Sequence, residues 1–329
     1  MMIPGNKRIA GLGSALVDIL IHESDEFLAE LDAPKGGMVL VDKERIDEIL
    51  SKTQATSAIV PGGSACNTVV GVSRLGGKSR FIGKCSQDEF GHLFETGLVH
   101  QHVEPRLFRS TSPTGRVLSV ITPDAQRTML TYLGASAEMN AEEMKPECFE
   151  HADIVHIEGY LLFNPDLMMA ALKNAKNTGA RISLDLASYT VVEASRDLLK
   201  TIVAEYVDIV IANEDESLAY TGVSNEMEAI SLLAEQADIA VLKLGKRGSL
   251  IADNGRVVSI APHGAGPVVD TTGAGDLWAS GFLYGLVSGL PIETCGSLAS
   301  MCGYEVCQVI GASIPEKGWE RISSYLLTI

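Results

Sequence analysis

Long apolar runs are missing from this sequence. The stretch from Ile9 to Ile21 is interrupted by Asp18, and no run approaches the roughly 20 residues that a membrane span needs. The first residues lack the basic-then-apolar pattern of a secretory signal. Positive charge is short as well: 26 Lys and Arg stand against 42 Asp and Glu, a formal net charge of −16. A surface of that sign disfavours nucleic acid and anionic membrane as partners. It says nothing against nucleotides, which need only a local basic or amide-rich pocket. The six cysteines (Cys66, Cys85, Cys148, Cys295, Cys302, Cys307) contain no Cys-x-x-Cys, so a zinc site and a disulfide framework are both poor readings. Reduced, mostly buried thiols are expected, in a cytoplasmic protein.

Two nucleotide motifs are also incomplete. Gly11 and Gly13 begin a dinucleotide-binding pattern, but position 16, where the third glycine belongs, is Leu16. That argues against a nicotinamide-dependent oxidoreductase. Gly76-Gly77-Lys78-Ser79 imitates the end of a phosphate-binding P-loop, but the leading glycine's place is held by Val72. No internal repeat, low-complexity tract or linker divides the 329 residues, of which 46% are apolar, enough for a large core.

What is present centres on Val269-Asp270-Thr271-Thr272-Gly273-Ala274-Gly275-Asp276-Leu277. A small-residue apolar run, Leu277 to Leu290, follows and reads as a helix. A helix N-terminus carries unpaired N–H groups and a partial positive charge, and glycines there let an anion approach the backbone closely. Asp276 would stand at the mouth of that cradle. A carboxylate beside bound phosphate is repelled by it, unless its task is to take a proton from an attacking hydroxyl while the amides hold the transferring group. The plainer alternative is an Asp-capped helix after a glycine turn.

Asp270 to Asp276 resembles the C-terminal signature of the ribokinase (PfkB) family of carbohydrate and nucleoside kinases, without a departure. The resemblance implies that Asp276 is the catalytic base and that Gly273, Ala274 and Gly275 form the anion hole. Gly62 to Gly77 is similar to the family's N-terminal signature, in which the pair Gly62-Gly63 is a hinge and Asn67 binds the sugar. Asp18 is a lone carboxylate among Leu16, Val17 and Ile19. By alternation it either faces solvent or, as the resemblance implies, holds substrate hydroxyls.

In chain order, Ile9–Leu12, Met38–Val41 and Arg80–Gly83 read as strands, Asp88–His100 as a helix, and Thr114–Thr122 and Arg127–Leu133 as a hairpin closed by Pro123–Gln126. From residue 152 strands alternate with helices: Asp153–Ile157, Arg181–Asp185, Val207–Ile211 and Ile239–Leu244 are separated by helices near 166–176, 195–205 and 226–236. That rhythm implies an α/β fold with a doubly wound, mostly parallel sheet flanked by helices, ligands lying beyond the strand C-termini. The hairpin adds a small β-sheet lid. The whole of 1–329 is then one ribokinase-like catalytic chain, with a lid from about 14–60 and 105–134 and a large domain from the remainder.

At the strand ends, Glu158 matches a family position near the sugar, Asp185 is read as structural, and His156 as a core histidine. Asn213 and Glu216 have capping-box spacing. The resemblance also gives Glu216 a role, through water, on magnesium. It places Asn213, Lys243, Gly245, Gly248 and Thr272 on the ATP, and Asp270 and Gly311 at a monovalent-cation site suited to potassium. The substrate set is Asp18, Leu16, Gly62, Gly63, Asn67 and Glu158. Apolar Leu16, where sugar kinases carry Asn, and a helical stretch from Glu26 to Glu44 lean toward the adenosine-kinase branch. The implied activity is transfer of the ATP γ-phosphoryl group to a primary hydroxyl of an adenosine-like nucleoside. The alternatives are a kinase for ribose, fructose or 2-keto-3-deoxygluconate, and a non-catalytic nucleoside- or sugar-binding relative. The expected partners are ATP and a small-molecule substrate, in a monomer or homodimer.

Overall fold

A computed structural model describes residues 7–31, 33–55, 58–124 and 126–329; Met1–Asn6 and Ala125, within the expected turn, lie outside the described residues. Among these, the large sheet has nine strands, in the spatial order Arg256–Ile260, Ser249–Asp253, Ile239–Lys243, Ile209–Asn213, Arg181–Asp185, Ile154–Glu158, Arg8–Leu12, Lys78–Ser86 and Val103–Ser110. All pairings are parallel except the two that join the first three strands. The parallel strands read as unbroken apolar runs because both faces are covered. Successive residues point to opposite sides, so Ala10, Val155, Val210 and Leu242 pack in one layer and Ile9, Ile154, Ile211 and Val241 in another.

Helices Pro165–Asn177, Arg196–Tyr206 and Glu226–Ala234 cover the first layer, each with apolar residues three and four apart, as in Leu167, Ala171, Leu172 and Ala175. Helices Ser64–Arg74, Ala274–Val287 and Ile292–Val306 cover the second. The small residues of Ala274–Val287 set its spacing: a Cβ on Gly281 would stand 2.8 Å from the Cα of Ala299. The expected doubly wound α/β class is the one observed.

A smaller five-stranded sheet has the order Met38–Leu40, Arg127–Tyr132, Gly115–Ile121, Leu16–His22, Ala58–Gly62. One face packs Ile19, Ile21, Leu118, Val120 and Leu130 against Leu28, Ile46 and Ile49 of helices Asp25–Ala29 and Lys43–Lys52. Three features differ from the sequence reading. Ala58–Gly62 is a strand, hidden by Pro61 and the glycines, and it lies on the sheet edge where proline is tolerated. Val103–Ser110, assigned from residue 105 to the smaller sheet, pairs with Lys78–Ser86 at the edge of the large one. Its Glu104, Arg106 and Arg109 mask the apolar run because an edge strand leaves charged side chains in water. Finally, the sheet ends in the antiparallel pair Ser249–Asp253 and Arg256–Ile260, of which the sequence suggested only a hairpin turn after Lys243, and helix Glu316–Leu326 was not read from the sequence.

The chain passes between the sheets four times, at residues 13–15, 62–63, 111–114 and after Tyr132. Gly63 has φ 99°, a conformation that L side chains rarely adopt, and a Cβ there would collide with the Ser14 carbonyl oxygen. The first two crossings therefore run side by side.

Candidate active site

Four adjacent parallel strands end in polar residues on one face. Glu158 and Asp185 are register partners, as are Asn213 and Lys243. Alternation places all four on the side of Ile154, Ile211 and Val241, beneath helix Ala274–Val287. Lys243 Nζ donates to Asp185 Oδ2 at 2.9 Å. Burial works to lower the Lys243 pKa, but Asp185 and Glu216 outweigh it and hold the ammonium above its ordinary value. Asn213 caps helix Glu214–Thr221 in the expected box: its side chain accepts Glu216 N–H at 2.9 Å, and Glu216 Oε2 accepts Asn213 N–H at 2.8 Å. Asn213 Nδ2 donates to the other Glu216 oxygen at 2.7 Å. Burial pushes the Glu216 carboxyl up to about 7. His156 is a core histidine, bonded to Ser183 Oγ at 3.0 Å and pushed down to about 4 by burial.

Helix Ala274–Val287 begins without a side-chain cap. Gly273, in left-handed conformation at φ 72°, opens it. First-turn N–H groups have no intrahelical acceptor, and Ala274 N–H is turned onto Thr271 O at 3.1 Å. A Cβ on Gly275 would stand 3.1 Å from Lys243 Nζ, so the bare glycine edge admits the ammonium beside the helix start. Helix dipole and ammonium together give this point a positive potential. Thr272 and Asp270 form its approach: Asp270 Oδ1 accepts Thr272 N–H at 2.9 Å, and Oδ2 accepts Gly311 N–H at 2.8 Å. Asp270 and Gly311 are thus neighbours.

Asp276, half-buried, is held from helix Ser64–Arg74. Ser64 Oγ donates to Oδ1 at 2.7 Å and Asn67 Nδ2 to Oδ2 at 2.9 Å. Burial raises its pKa, the hydrogen bonds from Asn67 and Ser64 oppose that rise, and Asp185 adds to it.

Asp18 is buried on the face of the smaller sheet away from the Lys43–Lys52 helix, with Arg127 Nη2 at 3.7 Å. A Cβ on Gly62 would lie 2.6 Å from the Asp18 Cγ, so only glycine leaves that carboxylate room. Burial pushes Asp18 up to about 6; Arg127 works against this, and the negative charge of Asp276 reinforces it. Leu16 lies two residues before it on the same face. Glu158 is engaged differently: Oε1 accepts Ser14 N–H at 2.8 Å and Oε2 accepts Ala65 N–H at 3.1 Å. It braces the first crossing against the start of helix Ser64–Arg74, and burial pushes it up to about 7. Gly245 and Gly248 flank the turn between Ile239–Lys243 and Ser249–Asp253; Gly248 faces inward, against the Ile260 carbonyl. The sequence reading missed Ser64, whose signal is its place three residues before Asn67 on one helical face, and Arg127, the first residue of its strand.

A model of the pfkB family of carbohydrate kinases matches residues 32–318. The chain belongs to that family. This PfkB chain is 30% identical over 303 residues to a probable fructokinase-5 of Arabidopsis thaliana, covering 85% of this chain and 92% of the relative. Among solved structures, a probable sugar kinase of Rhizobium etli superposes with TM-score 0.89 at 31% identity, covering 99% of this chain and all of that one. The adenosine kinase of Sinorhizobium meliloti superposes with TM-score 0.87 at 31% identity, covering 98% and 100%. PfkB membership makes the protein an ATP-dependent kinase acting on a hydroxyl of a small molecule, a sugar or a nucleoside. No described helix is long and apolar enough to cross a membrane.

Proposed function

We propose that the protein transfers the γ-phosphoryl group of ATP to a primary hydroxyl of an adenosine-like nucleoside, with Asp276 as general base. The observation that carries the reading is the meeting of Asp276, the uncapped helix start and Lys243, with Asp18 near enough for the Asp276 charge to act on it. Asp18 and Asn67 hold the sugar hydroxyls, with Gly62 and Gly63 as the bare floor beneath them. The acceptor O–H gives its proton to Asp276 as its oxygen bonds the γ-phosphorus. The bond from the γ-phosphorus to the bridging oxygen breaks, and ADP departs. The Gly273 and Gly275 amides and Lys243 stabilise charge on the transferring group, the Ala274 amide being held by the Thr271 carbonyl oxygen. The smaller sheet acts as a lid that excludes water from the reaction.

The residues fit ATP at an amide-rich, cationic helix start. For magnesium, no cluster of three or more His, Cys, Asp or Glu is arranged to hold a metal among the described residues, and both Glu216 oxygens are engaged by Asn213. Magnesium arriving with ATP would be held by the phosphates and water, with Glu216 reached through water, and would neutralise phosphate charge. A monovalent cation here would be held by carbonyl oxygens of the 270 and 311 turns, since the Asp270 oxygens accept from Thr272 and from Gly311 N–H; the potassium dependence of turnover tests it.

Leu16, apolar beside Asp18, and the helices Asp25–Ala29 and Lys43–Lys52 behind the smaller sheet support a nucleoside over a free sugar. The fructokinase-like relative supports the alternative sugar reading. A phosphate-acceptor screen of adenosine, inosine, cytidine, ribose, fructose and 2-keto-3-deoxygluconate decides between them: preference for adenosine upholds the proposal, and turnover of sugars alone overturns it. In the same assay Asp276→Asn is expected to bind ATP and lose turnover by several orders of magnitude.

A further inference from the structure

Ser64 is the first residue of helix Ser64–Arg74, and Asn67 follows it by three, so both side chains point along one face. Asp276 stands in the first turn of another helix, packed against that face. Each carboxylate oxygen receives a separate donor, Oδ1 the Ser64 hydroxyl at 2.7 Å and Oδ2 the Asn67 amide at 2.9 Å. Thr68, one turn after Ser64, ties the same two helix starts through the Asp276 carbonyl oxygen at 3.2 Å. Both carboxylate oxygens are thereby tethered to one helix face.

We propose that Ser64 is a positioning residue of the phosphoryl transfer: its hydroxyl aims the Asp276 carboxylate and keeps it ready to accept the acceptor's proton. Ser64 and Asn67 are not equivalent in this. An amide has two protons, so Asn67 can hold Asp276 and a sugar hydroxyl together. A hydroxyl has one, which Ser64 commits to Asp276, leaving its lone pairs free to receive a hydrogen bond from the acceptor. Ser64 thus links acceptor and base through one oxygen. The titratable groups that surround Asp276 are Asp18 from the smaller sheet, Glu158, Asp185 and Lys243 from the strand ends, and Cys66 and Tyr160, whose thiol and phenol burial keeps uncharged. Burial drives the Asp276 carboxyl upward, and the Ser64 and Asn67 hydrogen bonds are what oppose it from outside that charged set.

The inference rests on Asp276 as the base, and the experiment separates the two. Rates of ATP-dependent phosphorylation of the best acceptor are measured across pH for wild type, Ser64→Ala, Ser64→Thr, Thr68→Val and Asp276→Asn, with ATP binding followed by titration. Ser64→Ala is expected to lower kcat about ten- to a hundredfold, the worth of one hydrogen bond to a charged group. It is also expected to move the acid limb of kcat toward higher pH while ATP affinity stays. Ser64→Thr, which keeps the hydroxyl, restores both, and Thr68→Val, which removes a hydroxyl bonded to the Ser64 and Asp276 carbonyl oxygens but no donor to the carboxylate, keeps the wild-type limb. A Ser64→Ala enzyme with wild-type kcat and an unmoved limb overturns the inference while leaving a dead Asp276→Asn to uphold the base. If Ser64→Ala does not fold, an acid limb in Ser64→Thr unlike that of wild type overturns it. An active Asp276→Asn removes the reading on which the inference stands.

Discussion

Lys243 reaches across the strand Ile209–Asn213 to place its ammonium 2.9 Å from Asp185 Oδ2. The pair is nearly dry, with side chains 15% and 8% exposed, and the ammonium also lies at the start of helix Ala274–Val287. Removing one partner leaves the other charge buried alone. Lys243→Met is therefore expected to destabilise the protein by about 3–5 kcal/mol, read by urea denaturation, and to depress kcat. The double variant Asp185→Asn/Lys243→Met should regain most of the stability and none of the turnover. Recovery of both would make the lysine structural only.

Gly62 offers a narrower probe. A methyl group there would press first on the Asp18 carboxylate. Gly62→Ala is expected to raise the acceptor KM at least tenfold with an unaltered ATP KM. Equal increases in both constants would mean that the methyl group disturbs the whole hinge region.

Glu158 gives a pH dependence with a definite sign. Its carboxyl titrates near 7 in the folded chain against an ordinary 4.5, because burial disfavours the charged form more than the Ala65 and Ser14 amides favour it. A group raised in this way contributes its stability in full below about 4.5 and loses it as pH rises through about 7. Unfolding temperatures measured across that window should fall less steeply in Glu158→Gln than in wild type. Parallel slopes would show that Glu158 is ionised throughout.

Leu16 tests acceptor choice. Leu16→Asn adds a polar group two residues before Asp18 on the same face of the strand. The expected outcome is a fall in kcat/KM for adenosine and a rise for ribose. A uniform fall for all acceptors would assign Leu16 to packing.

The reach of the sequence differs between elements for physical reasons. Ile209–Asn213 and Ile239–Lys243 were legible because strands covered on both faces must be apolar throughout. Val103–Ser110 and Ala58–Gly62 were not, since edge strands carry charge or proline that reads as loop. At the site, the Gly273–Asp276 turn announced itself because glycines beside a carboxylate are hard to explain by stability. Ser64 gave only a weak signal, its place three residues before Asn67: a serine at a helix start is ordinary in sequence, and only the folded chain brings it to Asp276. Arg127 was invisible for the same reason, its neighbour Asp18 lying on a distant strand.

The fourfold passage of the backbone between the two sheets carries an evolutionary consequence. The strand that carries Asp18 and Leu16 comes from one stretch of gene, and the strand that carries Arg127 comes from another, with Lys78–Ser86 encoded between them. A chimaera that grafts one contiguous cassette from a relative would assemble half of each parent's acceptor pocket. Both stretches must be exchanged together for a new preference to be inherited intact.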